Sequence, residues 1–145
     1  MRALLQRVIQ AEVTVDREVL GRIGPGIVVL LGIAKGDTTA QAVRLAERLL
    51  GYRIFEDERG RMNRSIEEVR GALLVISQFT LVADVAKGTR PSFTPAAEPP
   101  LAESLYRTFI DRLLPSGLPV ETGRFGAHMV VSLQNDGPVT FLLES

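Results

Sequence analysis

The chain has no cysteine, no tryptophan, a single histidine (His128) and only two lysines, Lys35 and Lys87. The absence of thiols excludes thiol catalysis, cysteine-based zinc sites and any disulfide framework. A Ser–His–Asp triad would have to run through His128 alone. No recognised metal-ligand spacing surrounds that residue, so neither a metal nor another cofactor is expected. Charge of one sign is also missing: seventeen basic residues balance seventeen acidic ones, and the sequence pI is near 6.6. A non-specific nucleic-acid coat needs a basic excess, so any RNA contact must use a local patch. Long hydrophobic runs are absent too. The longest, Ile27 to Ala34, falls far short of the roughly 20 residues a membrane helix needs. Gln6, Arg7 and Glu12 interrupt the N-terminus, which leaves no secretory hydrophobic region. The expectation is a soluble, cytoplasmic protein with no membrane partner.

What is present is globular in character. With 145 residues, 46% hydrophobic and 23% charged, the chain fits one domain spanning 1–145 that buries roughly two-thirds of its unfolded surface. Residues 2–9 and 11–16 read as strands, the second with period-two alternation. Val19 to Ile23 reads as a return strand. Ile27 to Ile33 is apolar on both faces, as a central strand requires. Thr38 and Gln41 have capping-box spacing, with Asp37 adding negative charge at the helix start. Ala42, Leu45, Ala46, Leu49 and Leu50 then form one apolar helix face, and Gly51 stops it. Tyr52 to Phe55 is a short strand before a charged turn. Leu73 to Ile76 is a buried strand running into Ser77–Leu81. Residues 84–100 form a long loop, the kind that is often functional. A second helix follows Pro99-Pro100, burying Ala102, Leu105, Tyr106, Phe109, Ile110 and Leu113. Strands are expected at Val120–Arg124, Met129–Leu133 and Val139–Leu143, with Asn135-Asp136-Gly137-Pro138 turning between the last two. The pattern defines an α+β fold, a single compact domain with a mostly β core and two helices packed on it.

Four segments carry chemistry-bearing residues. In Ser77-Gln78-Phe79-Thr80, hydroxyls stand at the end of a buried strand. There Ser77 or Thr80 could act as nucleophile and main-chain N–H groups could form an oxyanion hole. The bland alternative is that both hydroxyls satisfy backbone groups at a strand end. Gly137-Pro138 is by itself an ordinary turn. The segment Lys87 to Thr94 combines two cations with small residues and Phe93, which suits phosphate contact and base stacking but equally a solvated loop. Arg53, Arg59, Arg61 and Arg64 could extend it into one basic surface, diluted by Glu56, Asp57 and Glu58. His128, at a strand start, reads as a surface residue more readily than as a catalyst.

Taken in order, several short motifs resemble the D-aminoacyl-tRNA deacylase family over essentially the whole chain. They are Gln6-Arg7-Val8, Arg53-Ile54-Phe55, Met62-Asn63, Ser77-Gln78-Phe79-Thr80-Leu81, Arg90-Pro91-Ser92-Phe93, Thr122-Gly123-Arg124-Phe125 and Asn135-Asp136-Gly137-Pro138-Val139-Thr140. Two positions depart from the family pattern, which commonly has lysine at Arg61 and an acidic residue at His128. The resemblance implies an esterase that frees D-amino acids from the terminal adenosine of tRNA. It further implies a symmetric homodimer in which Gly137-Pro138 of one subunit, with a cis peptide, enters the other subunit's pocket. Ser77, Gln78 and Phe79 would form that pocket, with Thr80 close by. For the chemistry, an oxyanion hole made by the N–H groups of Gln78 and Phe79, with the ribose 2′-hydroxyl assisting water, suits this side-chain inventory better than Thr80 as nucleophile, because a hydroxyl nucleophile needs a base. Glycyl-tRNA would also be cleaved. A non-enzymatic RNA-binding or assembly module, and a small-molecule esterase, are the competing readings.

Overall fold

The computed structural model describes residues 1–145. In chain order it contains β1 (Arg2–Val15), β2 (Glu18–Ile23), β3 (Gly26–Gly32), α1 (Thr39–Leu50), β4 (Phe55–Glu56), β5 (Met62–Arg64), α2 (Ile66–Val69) and β6 (Ala72–Ser77). A 3₁₀ turn (Phe79–Val82), α3 (Pro99–Leu113), a second 3₁₀ turn (Leu114–Ser116), β7 (Val120–Thr122) and β8 (Val130–Glu144) complete the chain. The α+β class and the two main helices are as expected. The single-turn α2, capped reciprocally by Ser65 and Glu68, is an addition.

One six-stranded sheet organises the molecule. β1 pairs antiparallel with β8 along one side and with β3 and then β2 along the other. β3, β6 and β7 run parallel. The sheet curls until β2 lies against β6 and β7, giving a nearly closed, barrel-like form. Its interior is filled by Val8, Ala11, Val13, Ile23, Val28, Leu74 and Ile76. The opposite face packs Leu5, Ile27, Val29, Leu31, Leu73 and Val75 against α1 and α3. β3 and β6 are therefore buried on both faces, which is why they read as unbroken apolar runs.

Three of the expected strands differ in their boundaries, for physical reasons. Of Tyr52 to Phe55 only Phe55 is in a strand, β4, because the pairing partner is β5 across the charged turn and not the main sheet. β1 is one strand, not two. Between Val8 and Gln10 it advances two residues while β8 advances one, Asn135 to Gln134, so its alternation slips phase and leaves Ile9 exposed. β8 is likewise one strand, and Asn135–Pro138 is not a hairpin turn. Both flanks pair with β1, and the register steps from Gln6↔Thr140 to Val8↔Asn135. Residues 136–139 thus form a wide bulge in a continuous strand.

The helix predictions hold closely. Thr38 and Gln41 make the capping box, with the Thr38 N–H donating to Gln41 Oε1 at 2.9 Å. Asp37, by contrast, does not serve the helix start. Its carboxylate accepts from the Met1 ammonium and from the Ala34 N–H, each at 2.7 Å. On α3, Tyr106 donates its hydroxyl to the Val75 carbonyl at 2.7 Å, tying the helix to the sheet. Burial pushes this phenol up to about 12 from its ordinary 10.0. In the unfolded chain it ionises near the ordinary value, so folding stability is unaffected below that pH and falls as pH rises toward the folded value. The melting temperature is expected to drop on alkaline titration above about pH 10, and Tyr106→Phe should flatten that drop. An unchanged alkaline slope in the variant would place the sensitivity elsewhere.

Candidate active site

The carboxyl ends of β3, β6 and β7 lie side by side, because the three strands are parallel and neighbouring. Open sheets with parallel strands bind ligands at that edge. Here the edge carries a cleft of about 520 Å³. Leu31 and Ile33 enter it from the end of β3, Ser77, Gln78 and Phe79 from the end of β6, and Phe125 to Met129 from the segment after β7. Ala96, Ala97, Pro99 and Ala102 close the helical side. Gly123 lets the segment after β7 fold down onto the sheet, since a Cβ there would sit 2.4 Å from Met129 Sδ. Most of the wall is carbon, and His128 is its only titratable side chain.

The Ser77–Thr80 segment leaves β6 through a sharp turn. The Gln78 N–H donates to the Leu31 carbonyl at 2.8 Å, continuing the sheet ladder for one residue. The chain then enters the 3₁₀ turn, with Leu81 N–H donating to the Gln78 carbonyl and Ala83 N–H to that of Thr80. This corrects the expected oxyanion donors: the Gln78 N–H is engaged by the sheet. Phe79 and Thr80, as the first residues of a helical turn, have no acceptor within it, and their N–H groups donate to no turn, loop or side-chain acceptor. The hydroxyls do not satisfy backbone groups. Thr80 Oγ1 accepts from Gln78 Nε2, and Ser77, whose hydroxyl has no hydrogen-bond partner in the chain, lines the cleft. Phe79 is 57% exposed, and its ring meets that of Phe93 edge-on, with centroids 5.1 Å apart. That contact fixes the long loop beside the cleft, and an Asp84–Ser92 bridge closes the loop.

Gly137 and Pro138 lie elsewhere. Both are exposed and belong to the β8 bulge, three strand spacings or about 14 Å across the sheet from β6. The peptide between them is cis. Two residues that sequence reasoning left without a role build the bulge. Asn135 clamps it: its Oδ1 accepts from the Val139 N–H at 2.7 Å, and its Nδ2 donates to the Val139 carbonyl and Thr140 Oγ1. Arg7, 5% exposed, lies beneath it. Its Nε donates to the Asp136 carbonyl at 3.1 Å and lies 3.2 Å from Asp136 Oδ2, while Nη1 donates to the Ile54 carbonyl at 2.7 Å. Gly137 has φ 133°, and a Cβ there would meet Val139 Cγ2 at 2.5 Å and Arg7 Nη2 at 3.2 Å. Only glycine fits. A sequence signal for Arg7 existed, since it falls in the buried phase of β1 with Ala3 and Leu5.

The β4–β5 hairpin does not make a continuous basic surface. Asp57 Oδ1 accepts from the N–H groups of Arg61 and Arg59, bonds that hold its carboxyl below the ordinary carboxylate range. Arg53 donates to Asn63, and Arg64 to the Glu68 carbonyl. No group of three or more His, Cys, Asp or Glu side chains is arranged to hold a metal, and no helix is long and apolar enough to cross a membrane.

Fold and cleft together define a small α+β protein with a mostly carbon-lined cleft at the carboxyl edge of its parallel strands. Comparison with known proteins narrows this class. The family model described as D-Tyr-tRNA(Tyr) deacylase matches residues 4–144, and the chain belongs to that family. It is 60% identical over 144 residues to the D-aminoacyl-tRNA deacylase of Thioalkalivibrio sulfidiphilus, covering 99% of this chain and 97% of that protein. The D-aminoacyl-tRNA deacylase of Symbiobacterium thermophilum is 59% identical, with 100% and 96% covered. Among solved structures, the c-Myc DNA Unwinding Element Binding Protein superimposes with a TM-score of 0.94 at 42% identity, covering 100% of this chain and 99% of that one.

Proposed function

We propose that this chain hydrolyses the ester bond of D-aminoacyl-tRNA, releasing the D-amino acid and free tRNA, and leaves L-aminoacyl-tRNA intact. Family membership supports the ester hydrolysis. The observation that carries the mechanism is the unengaged Phe79 N–H at the wall of a carbon-lined cleft. Such donors stabilise the charge that develops on a carbonyl oxygen, and more strongly where water is excluded. Water adds to the ester carbonyl while the Phe79 N–H, with that of Thr80 beside it, holds the oxyanion. The ribose 2′-hydroxyl relays the proton from the water toward the 3′-oxygen. The carbon–oxygen bond then breaks, giving the free 3′-hydroxyl and the amino acid, whose carboxyl group releases the water's second proton to solvent as it ionises. Thr80 positions Gln78 through their shared hydrogen bond and is not the nucleophile, since no base accompanies its hydroxyl.

The chiral filter is assembled between two copies of the chain. β8 pairs only with β1, leaving its other edge without a partner strand, and an open edge of that length favours pairing with another chain. The folded surface of 8242 Å² exceeds the about 7,300 Å² expected of a monomer of this mass. In a symmetric homodimer the exposed Gly137-Pro138 bulge of one protomer enters the cleft of the other, where its carbonyls grip the substrate ammonium. An L side chain would then point into backbone, whereas a D side chain points away. Glycine, with no side chain, cannot be rejected this way. Glycyl-tRNA is therefore expected to be cleaved at a measurable rate, scored as release of labelled glycine. Complete inertness would mean that a further contact checks the side chain.

The structural match to a protein named for DNA binding favours one competing reading, a non-enzymatic nucleic-acid-binding module. Binding of D-aminoacyl-tRNA without ester cleavage by the purified chain would establish it. Cleavage of simple D-aminoacyl esters with no dependence on the tRNA body or on salt would instead indicate a small-molecule esterase.

A further inference from the structure

Five of the seventeen cations of this net-neutral chain are held in ion pairs. Arg2, Arg22, Arg107 and Arg112 pair with glutamates, and Arg7 is committed to the β8 bulge. On the β4–β5 hairpin, Arg59 and Arg61 share the surface with Glu56, Asp57 and Glu58. The mouth of the cleft is different. The Lys35 N–H donates to the Pro95 carbonyl at 2.9 Å, which sets Lys35 beside Ala96 of the cleft wall. Arg124 directly precedes Phe125 of the same wall. Lys87 and Arg90 occupy the tip of the loop closed by Asp84 and Ser92, which Phe93 fixes against Phe79. All four side chains are exposed, and none forms an ion pair. Nearby acids offset them only in part. Asp37 is neutralised by the Met1 ammonium at 2.7 Å. Asp84, whose Oδ1 accepts from the Ala86 N–H, and Glu98 at the start of α3 keep their charges, which leaves four cations against two anions.

We infer that Lys35, Lys87, Arg90 and Arg124 are the landing site for the sugar–phosphate backbone of a single-stranded RNA 3′ end whose last nucleotide enters the cleft. The inference rests on the deacylase reading for the identity of the strand. Its physical basis is separate: a local positive excess beside a carbon-lined cleft, in a chain with no overall charge to attract nucleic acid. Backbone contacts of this kind release counterions and so make binding steeply salt-dependent.

The test is the affinity for fluorescently labelled, uncharged tRNA, followed by anisotropy between 50 and 200 mM salt. Four single-strand phosphate contacts predict a slope of about −2.8 in log K against log salt, a loss of roughly 50-fold across that range. The Lys87→Ala/Arg90→Ala double variant is expected to halve the slope, leaving a loss of about 7-fold. Arg59→Ala/Arg61→Ala removes equal charge from the hairpin and is expected to keep the full slope. An unchanged slope in the loop variant, or a flattened slope only in the hairpin variant, overturns the landing site. Hydrolysis of D-tyrosyl-tRNA by the unmodified protein reports on the parent reading independently. Ester cleavage with an insensitive slope refutes the landing site alone, while loop-dependent binding without cleavage supports the landing site and refutes the deacylase.

Discussion

D-tyrosyl-tRNA ending in 2′-deoxyadenosine is expected to be cleaved at least about 100-fold more slowly than its ribose counterpart, the low end of what a positioned proton-transfer group contributes. The expectation follows from what surrounds the reacting ester. A cleft of about 520 Å³ has one titratable side chain on its wall, His128, and that residue is exposed. Thr80 offers a hydroxyl, but its hydrogen-bond partner is an amide, not a base. On the proposed mechanism the protein supplies the N–H donors and the substrate supplies the proton relay, its 2′-hydroxyl being the group adjacent to the scissile bond. Two results accompany this account. Thr80→Ala should retain cleavage within about 100-fold, because it removes a positioning contact and not a nucleophile. His128→Ala should retain most activity. Single-turnover rates on paired 2′-hydroxyl and 2′-deoxy substrates decide the matter: equal rates would exclude substrate assistance, and near-complete loss in a folded Thr80→Ala protein would restore the nucleophile.

Arg7→Ala is the substitution with the largest expected cost. The guanidinium is almost fully buried and serves the Asp136 carbonyl, the Asp136 carboxylate and the Ile54 carbonyl at once. Asp136 is 49% exposed, so solvent screens that ion pair and it contributes little beyond about 1 kcal/mol. The Ile54 carbonyl is the larger loss, since it is left buried without a donor, at about 1.5–3 kcal/mol for a bond to a charged group. Together these predict about 3 kcal/mol and a fall in melting temperature of roughly 10 °C. The bulge that carries Gly137-Pro138 also loses its support. A shift of about 1 Å in a positioning element can cost about 100-fold in rate, so D-ester cleavage should drop on that scale. Arg7→Lys keeps the charge but not the fork, and a single ammonium cannot reach both carbonyls. It should fall between the two. Thermal melts and kcat/KM on D- and L-tyrosyl-tRNA check this together, because a merely structural Arg7 would lower stability without raising the ratio of L to D cleavage.

Much of the fold was legible because its signals are local. The α1 capping box, the apolar faces of α1 and α3, and the doubly buried strands β3 and β6 appear in the structure as the periodicity indicated. What the sequence concealed is long-range. Asn135-Asp136-Gly137-Pro138 has turn composition, and nothing local distinguishes a hairpin from a bulge flanked on both sides by the same strand. That distinction depends on β1 pairing with both Asn135 and Thr140. The break at Ile9-Gln10 has the same origin. The Ser77–Thr80 segment was recognisable as a strand end, but which N–H groups remain unengaged depended on the accepting Leu31 carbonyl of a strand about fifty residues earlier. The site's other wall, Gly126 to Met129, carries no motif of its own.

The central claim is that a main-chain site, completed by the Gly137-Pro138 bulge of a second copy, cleaves D-aminoacyl esters and excludes L ones. The most direct measurement is the rate at which the purified protein deacylates D-tyrosyl- and L-tyrosyl-tRNA side by side, at equal enzyme and at two salt concentrations. The account predicts rapid loss of the D ester, with the L ester decaying no faster than in buffer. Equal loss of both would contradict it, leaving an unselective esterase and no chiral role for Gly137-Pro138.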